Sequence, residues 1–203
     1  MSFFENTRKP VGFGGKIMVA MMNLGHSAVA RWGLQFLNAA PDARVLDCGC
    51  GGGANVAVWL KQCPKGRVTG MDYSEISVAE TRKINDAAIK AGRCDVVQGN
   101  AAAMPFQAET FDVVSAFETV YFWPGLEACF AEVNRVMKRR GTFMICNECD
   151  GTNAADEKWQ KMIDGMRIYP EEELRAALEK AGFTEIESRR ETKKHWLCML
   201  AKK

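Results

Sequence analysis

Residues 45–53 read VLDCGCGGG, and this stretch decides the fold. A short apolar run ends in an acid, a glycine-dense loop follows, and a helical pattern begins at Ala54. A strand, a tight glycine turn and a helix in this order form the nucleotide-binding crossover of α/β proteins. Glycine adopts backbone angles that a side chain would forbid, and it lets a ligand lie against bare backbone. The helix that follows offers unpaired N–H groups and the positive end of its dipole to a polar ligand.

The glycine loop matches the patterns of two ligand classes. Gly49, Gly51 and Ala54 satisfy the G-x-G-x-x-G/A pattern of dinucleotide-binding proteins. From Asp47 onward, the same glycines and Gly53 also satisfy the D/E-x-G-x-G-x-G pattern of S-adenosylmethionine (SAM) methyltransferases. A carboxylate at the mouth of the first strand suits a ligand with a cationic methionine end, whereas it would repel a pyrophosphate. Asp47 therefore favours SAM.

Length and charge are those of an ordinary globular protein. The 203 residues fit one domain that can bury a core, and 47% hydrophobic and 26% charged residues are typical values. The net charge is +2 and, apart from two short clusters, the basic residues are scattered, unlike the basic face of nucleic-acid-binding proteins. We therefore expect a single domain over residues 1–203, a monomer or homodimer, and no nucleic-acid partner.

The cysteines and the lengths of the apolar runs indicate in which cell compartment the protein is expected. The N-terminus is not typical of a secretory signal, and no apolar stretch is long enough to span a bilayer. We expect the eight cysteines to be reduced, in a cytoplasmic protein without stable membrane insertion. Cys146 and Cys149 form a lone C-x-x-C pair, and only His26 and His195 could add histidine ligands. Since a zinc site would require two more ligands, we expect no metal site.

Strand-like apolar runs alternate with helical patterns from Arg44 onward. The runs are continuous rather than alternating, which is typical of parallel strands buried on both faces. The predicted strands cover 44–48, 67–71, 94–98, 111–116, 141–146, 183–188 and 195–200. Only a few polar residues join the last two runs, too few for a crossover helix, so they form an antiparallel hairpin. The pattern predicts an α/β fold with a Rossmann-like, doubly wound, mostly parallel sheet of seven strands and an antiparallel last strand.

The whole order resembles the class I SAM-dependent methyltransferase family. It is most similar to the small-molecule branch that includes the ubiquinone/menaquinone C-methyltransferases. Three stretches carry the resemblance: VLDCGCGGG at 45–53, VTGMDYS at 68–74 and QGNAAAMPF at 98–106. The resemblance covers residues 30 to 200 and implies the strand order 3-2-1-4-5-7-6. It also implies SAM as cofactor and S-adenosylhomocysteine as product.

The resemblance assigns the cofactor contacts residue by residue. Asp72 would bind both ribose hydroxyls, since a carboxylate accepts two hydroxyl protons well, and Tyr73 would lie against the adenine. Asn100 stands where the family usually has an Asp, and its carbonyl oxygen can still accept a bond from the adenine amino group. Ala101 would offer its backbone N–H to the ring. The remaining predicted cofactor residues are Asp47, Gly49, Cys50, Gly51 and Phe117.

The acceptor is expected to meet the methyl group at residues 117–124, FETVYFWP, where the fourth strand ends. Its four aromatic residues could form an apolar pocket, and aromatic faces tolerate a sulfonium well; two of them, Phe122 and Trp123, could equally be core. Glu118 could bind the methionine ammonium, act as a base or face solvent. Tyr121 and His26 are the other candidate catalytic residues. The N/D/S-P-P-Y/F motif of nucleic-acid amino methyltransferases is missing here, which favours a small-molecule acceptor.

Residues 1–40 are predicted to form an arm and two helices that cap a SAM-binding core at residues 41–203. We expect residues 1–30 to act as a lid, because two short helices cannot bury their apolar faces alone and members of the resembled family often cover the site in this way. Met18, Met21 and Met22 would give the lid an adaptable face. His26, at the break between the helices, could turn inward to the acceptor. A permanently docked helix pair is the alternative.

The sequence therefore predicts a SAM-dependent methyltransferase that acts on a small, partly apolar metabolite. Two alternatives stay open at this point. An NAD(P)-dependent oxidoreductase could use the same glycine loop, although Asp47 counts against it and no hydride-transfer set of residues is evident. A non-catalytic SAM-binding regulator would need no acceptor pocket, although the aromatic run at 117–124 favours one.

Overall fold

The structure is a computed structural model that describes residues 25–203 together with Gly12 and Gly14. Its centre is one sheet of seven strands in the order β3-β2-β1-β4-β5-β7-β6. The strands are β1 Arg44–Cys48, β2 Arg67–Asp72, β3 Cys94–Gln98, β4 Phe111–Phe117, β5 Met137–Asn147, β6 Thr184–Glu191 and β7 Trp196–Lys202. The predicted Rossmann-like sheet and its strand order are confirmed.

The first five strands are parallel, and β7 is antiparallel to both of its neighbours. In the centre of the sheet, Val45 of β1 lies opposite Val68 of β2 and Val113 of β4. β6 and β7 are joined by the short turn of residues 192–195, which leaves no room for a crossover helix. The predicted terminal hairpin is thus confirmed.

Seven helices are found among the described residues, beside two short 3₁₀ turns at Leu34–Phe36 and Val120–Phe122. They are α1 Ser27–Gly33, α2 Ala54–Gln62, α3 Glu75–Ile84, α4 Asp86–Lys90, α5 Leu126–Val136, α6 Asp156–Met162 and α7 Glu171–Lys180. α3 and α4 are separated at Asn85, whose side-chain Nδ2 donates to the carbonyl oxygens of Thr81 and Gly53 at 3.0 and 3.1 Å. Asn85 therefore ends α3 and ties it to the glycine loop.

The sheet separates two hydrophobic clusters, one on each face. Neighbouring residues of β1 point to opposite faces, so that Val45 belongs to one cluster and Leu46 to the other. α5 and α7 cover the Leu46 face, where Phe130 is fully buried, and α1 and α2 cover the Val45 face, where Trp59 is fully buried. Burying a side chain such as Phe130 contributes about 1.5–3 kcal/mol to stability.

α1 is packed against β5 and does not stand apart from the core. Val29 is fully buried, and its carbonyl oxygen accepts a hydrogen bond from Sγ of Cys146 at 3.5 Å. A side chain at Gly33 would collide with Cys146 and Met144, so glycine permits the close approach of the helix to the strand. The predicted first helix and its methionine face lie outside the described residues. None of the helices in the described part has the length and apolarity that a bilayer span requires.

Candidate active site

A cavity of about 1000 Å³ opens at the carboxyl ends of the central strands. Residues of the glycine loop, the ends of β2, β4 and β5, and α1 line it. In open α/β sheets, ligands bind outside the carboxyl ends of the strands, where the strand order reverses. The reversal here lies between β1 and β4, directly below the glycine loop. The cavity is thus the candidate active site.

The glycine loop is held by backbone bonds to β2. The N–H groups of Gly49 and Cys50 both donate to the carbonyl oxygen of Met71, at 2.7 and 3.0 Å. Gly49 has φ +81° and leaves no room for a Cβ, because Thr119 lies against it. Gly51 has φ +53°, and a Cβ there would meet nothing within 4 Å. Gly49 therefore permits close packing, whereas Gly51 presents bare backbone to the cavity.

Asp72 lies at the end of β2, lines the cavity and is 8% exposed. Its Oδ1 accepts from the backbone N–H of Ser74 at 2.9 Å, and its Oδ2 accepts from that of Gly51 at 3.0 Å. These bonds orient the carboxylate and leave each oxygen with further acceptor capacity. Burial raises the pKa of Asp72, although its hydrogen bonds oppose this shift. Tyr73, 40% exposed, lines the cavity beside it.

Asp47 lies within β1 and does not line the cavity. Only 1% of its surface is exposed. Its Oδ1 accepts from Ser115 Oγ at 2.8 Å, and Ser115 Oγ in turn accepts from Trp59 Nε1 at 3.0 Å. Oδ2 has no hydrogen-bond partner among the described residues. Burial raises the pKa of Asp47 to about 7, and the negative charge of Asp72 adds to this effect.

The other predicted cofactor residues line the same cavity. Cys50 and Ala101 are buried, and Phe117 is buried at the end of β4. Asn100 is exposed, and its Oδ1 accepts from the backbone N–H of Ala102 at 2.9 Å. Because a carbonyl oxygen has two lone pairs, this local bond leaves Asn100 able to accept a second hydrogen bond.

Glu118 follows β4 directly and lines the cavity. Its φ of +57° is unusual for a residue other than glycine, and such strained positions cluster at functional sites. Oε1 of Glu118 accepts a short hydrogen bond from the backbone N–H of Glu148, the residue that follows β5. Burial, and then the negative charge of Glu148, raise the pKa of Glu118 well above its ordinary value.

His26, just before α1, and Glu148 complete a group around Glu118. His26 Nε2 lies 4.0 Å from Glu148 Oε2, and both side chains line the cavity. Burial lowers the pKa of His26 and raises the pKa of Glu148. Sequence analysis did not single out Glu148, although a signal was present. The charged residues Glu148 and Asp150 follow the apolar run of β5, as Glu118 follows β4.

All four aromatic residues of the FETVYFWP run line the cavity. Trp123 also belongs to the core, since it stacks on Phe143 with ring centroids 6.2 Å apart. The hydroxyl of Tyr121 accepts from the backbone N–H of Cys149 at 2.9 Å. Burial raises the pKa of Tyr121 well above its ordinary value, so its hydroxyl stays protonated at neutral pH. Tyr121 thus positions the segment after β5 and is a poor base.

The cysteine thiols among the described residues are all free. Cys146 is buried and contacts α1, whereas Cys149 is half-buried and lines the cavity. Burial raises the pKa of Cys149 to about 12, so the thiol stays protonated at neutral pH. The two residues of the C-x-x-C pair thus lie in different environments.

Residues 46–145 match the family model described as a methyltransferase domain. Cycloartenol-C-24-methyltransferase 1 of Oryza sativa subsp. japonica is 32% identical over 113 residues, which cover 56% of this chain and 33% of that protein. The malonyl-[acyl-carrier protein] O-methyltransferase of Legionella pneumophila is 34% identical over 115 residues, which cover 55% and 38%. The chain thus spans less than half the length of these curated relatives.

Solved structures share the fold at low sequence identity. A chain in the complex between the Haloferax volcanii Trm112 methyltransferase activator and a methyltransferase aligns with a TM-score of 0.82 and 20% identity, covering 91% of this chain and 92% of that one. Geranyl diphosphate C-methyltransferase from Streptomyces coelicolor A3(2) aligns with a TM-score of 0.76 and 16% identity, covering 87% and 77%. Residues 46–145, about half of the chain, thus match a methyltransferase domain, and the whole described fold is that of the solved methyltransferases.

Proposed function

We propose that this protein transfers a methyl group from SAM to a small, partly apolar molecule. The observation that carries the proposal is the continuous cavity, because it joins two chemically different ends. One end holds the bare backbone of Gly51 and the oriented carboxylate of Asp72. The other end holds Glu118 and the aromatic residues that follow β4. A cofactor and an acceptor can therefore meet in one space.

The residues at the cofactor end suit SAM. Asp72 offers two oxygens to a ribose diol, and Tyr73 and Ala101, which line the same cavity, would contact the adenine. The Oδ2 of the buried Asp47 has no partner in the described part of the chain, and the charged form of this carboxyl group next to the glycine loop suits a cationic methionine end. A dinucleotide would instead bring a pyrophosphate toward two carboxylates. The oxidoreductase alternative is therefore disfavoured.

SAM, when bound, supplies an electrophilic methyl group on a sulfonium that becomes neutral as the methyl leaves. The protein therefore has little charge to stabilise, and its main contributions are alignment and the exclusion of water. Tyr121, Phe122 and Trp123 give the acceptor end an apolar wall. Trp159 on α6 adds a further aromatic side chain that sequence analysis did not single out. A SAM-binding regulator without catalysis would not need this apolar lining, so the lining favours a methyltransferase with an acceptor pocket.

The finer substrate class is also a proposal. Two relatives are named for large apolar acceptors, cycloartenol-C-24-methyltransferase and squalene methyltransferase. Together with the aromatic lining, they support an acceptor with an apolar part. The resemblance to ubiquinone/menaquinone C-methyltransferases is compatible with this class.

Thermal unfolding with candidate cofactors tests the cofactor assignment. SAM and S-adenosylhomocysteine should raise the melting temperature of the wild-type protein, since a ligand at about 100 times its Kd stabilises the folded state by about 2.7 kcal/mol. NAD and NADP should not. Asp72→Asn keeps the shape of the side chain but removes its charge, so the SAM-dependent shift should shrink strongly. Asp86→Asn changes a half-exposed carboxylate on α4 and should keep the full shift. Stabilisation by NAD without stabilisation by SAM would refute the assignment.

A further inference from the structure

Three potential metal ligands meet at the acceptor end of the cavity. His26 precedes α1, Glu118 follows β4 and Glu148 follows β5, so three separate segments supply them. One ligand atom from each residue lies within 4.8 Å of the other two. All three side chains line the cavity, and the space beside them is open to a ligand.

The spacing of these atoms suits an ion better than direct hydrogen bonds. His26 Nε2 and Glu148 Oε2 are 4.0 Å apart, which is too far for a hydrogen bond. Two atoms that bind one ion at about 2.0–2.2 Å are separated by about 3 Å when adjacent and about 4 Å when opposite. The observed separation lies in this range. The bond from the Glu148 backbone to Oε1 of Glu118 holds the two carboxylates together.

The charge of the group is also unbalanced. Two carboxylates lie side by side, and in the described part of the chain no Lys or Arg forms an ion pair with either. Arg31 lines the cavity, but its Nε donates to the carbonyl oxygen of Ser27. Like charges at such distances repel, and a divalent cation would balance both. Glu118 is moreover held in the left-handed backbone region, and its carboxylate lies against Glu148, whose backbone N–H donates to it.

We propose that His26, Glu118 and Glu148 bind one divalent metal ion, with open coordination positions facing the acceptor. One imidazole nitrogen and two carboxylates suit Mn²⁺, Fe²⁺ or Zn²⁺ better than Ca²⁺ or Mg²⁺, which prefer oxygen ligands alone. Three protein ligands with an open position are the arrangement of catalytic rather than structural metal sites. Resting on the proposed methyl transfer, the ion would bind an oxygen of the acceptor and orient it toward the cofactor. The acceptor class is then a molecule with a hydroxyl or carbonyl group near its methylation site.

Metal binding can be measured without turnover. The full chain, without an affinity tag and after treatment with a chelator, is titrated with Mn²⁺ while electron paramagnetic resonance measures the free ion. One Mn²⁺ should bind per chain, and Mn²⁺ or Zn²⁺ should raise the melting temperature. Glu148→Gln and His26→Gln should each weaken Mn²⁺ binding at least tenfold. Both side chains are 33% exposed, so neither change should prevent folding.

Glu157→Gln is the matched control, since Glu157 is an exposed glutamate on α6 that pairs only with Lys161 in the described part of the chain. It should bind Mn²⁺ like the wild type. The proposal is overturned if the wild type takes up no ion, or if Glu148→Gln and His26→Gln bind as well as the control. The proposal is also overturned if an ammonium compound raises the melting temperature through these three residues and no metal ion does. None of these results depends on SAM, so the methyl-transfer proposal stands or fails separately.

Discussion

At the scale of single residues, two buried aspartates set the electrostatics of the cofactor end. Asp72 is oriented by two backbone N–H groups, whereas Asp47 keeps one oxygen without a partner in the described structure. Burying such an acceptor costs about 1–3 kcal/mol. The sequence pattern places a carboxylate at Asp47 but does not show that it lies inside the sheet. A cationic ligand in the cavity would offset the cost of this buried carboxylate.

The raised pKa of Asp47 predicts how stability depends on pH. This pKa is about 7 in the folded protein, against an ordinary 3.8. A raised folded-state pKa means that the stabilising contribution is complete below pH 3.8 and is lost as pH rises through 7. Asp47→Asn removes the titration, so this variant should gain stability relative to the wild type between pH 5 and pH 8. Urea unfolding of both proteins at the two pH values measures the change. A stability difference that does not vary with pH would contradict the burial argument.

The metal-ligand group shows what residue patterns cannot predict. Asp72 ends β2 and the glycine loop follows β1, so the family resemblance could assign both from short stretches of sequence. His26, Glu118 and Glu148 are far apart in sequence and meet only because β4 and β5 are neighbours and α1 packs on β5. The cysteine and histidine positions predict no metal site, and a group that only tertiary packing brings together leaves no pattern along the chain.

At the scale of elements, the packing of α1 shows how the predicted cap of residues 1–40 is attached to the core. The sequence predicts a lid over residues 1–30, with a permanently docked helix pair as the alternative. α1 is docked, because Val29 is fully buried and Gly33 approaches β5 closely. Arg31 and Leu34 of this segment also line the cavity. The lid over residues 1–30 stays a prediction, since most of residues 1–24 lie outside the described residues.

Val29→Ala tests whether the docking of α1 belongs to the folding core. The change removes two methyl groups from a fully buried position, so the free energy of unfolding should fall by about 1–3 kcal/mol. Gln35→Ala alters an exposed residue of the same segment and should change it by less than about 0.5 kcal/mol. Urea unfolding of both variants measures the difference. If Val29→Ala and Gln35→Ala had the same free energy of unfolding, the packing of α1 on the sheet would contribute nothing to stability.

At the scale of the whole molecule, the sheet brings the glycine loop and the residues that follow β4 and β5 to one cavity. The family resemblance implied the strand order, and the short polar link between the last two strands predicted the antiparallel hairpin. Sequence analysis did not predict the break at Asn85, because that break depends on a side-chain bond to the distant glycine loop. The cytoplasmic location and the monomer-or-homodimer state stay predictions of the sequence.

The transfer of an isotope-labelled methyl group is the most direct test of the central claim. The wild-type protein is incubated with methyl-labelled SAM and a metabolite extract, and the small-molecule fraction is examined for label by mass spectrometry. We predict a labelled product with an apolar part and the release of S-adenosylhomocysteine in equal amount. Asp72→Asn should lose most of this activity, whereas Asp86→Asn should keep it. Tight SAM binding without label in any small molecule, across extracts of different origin, would contradict the account.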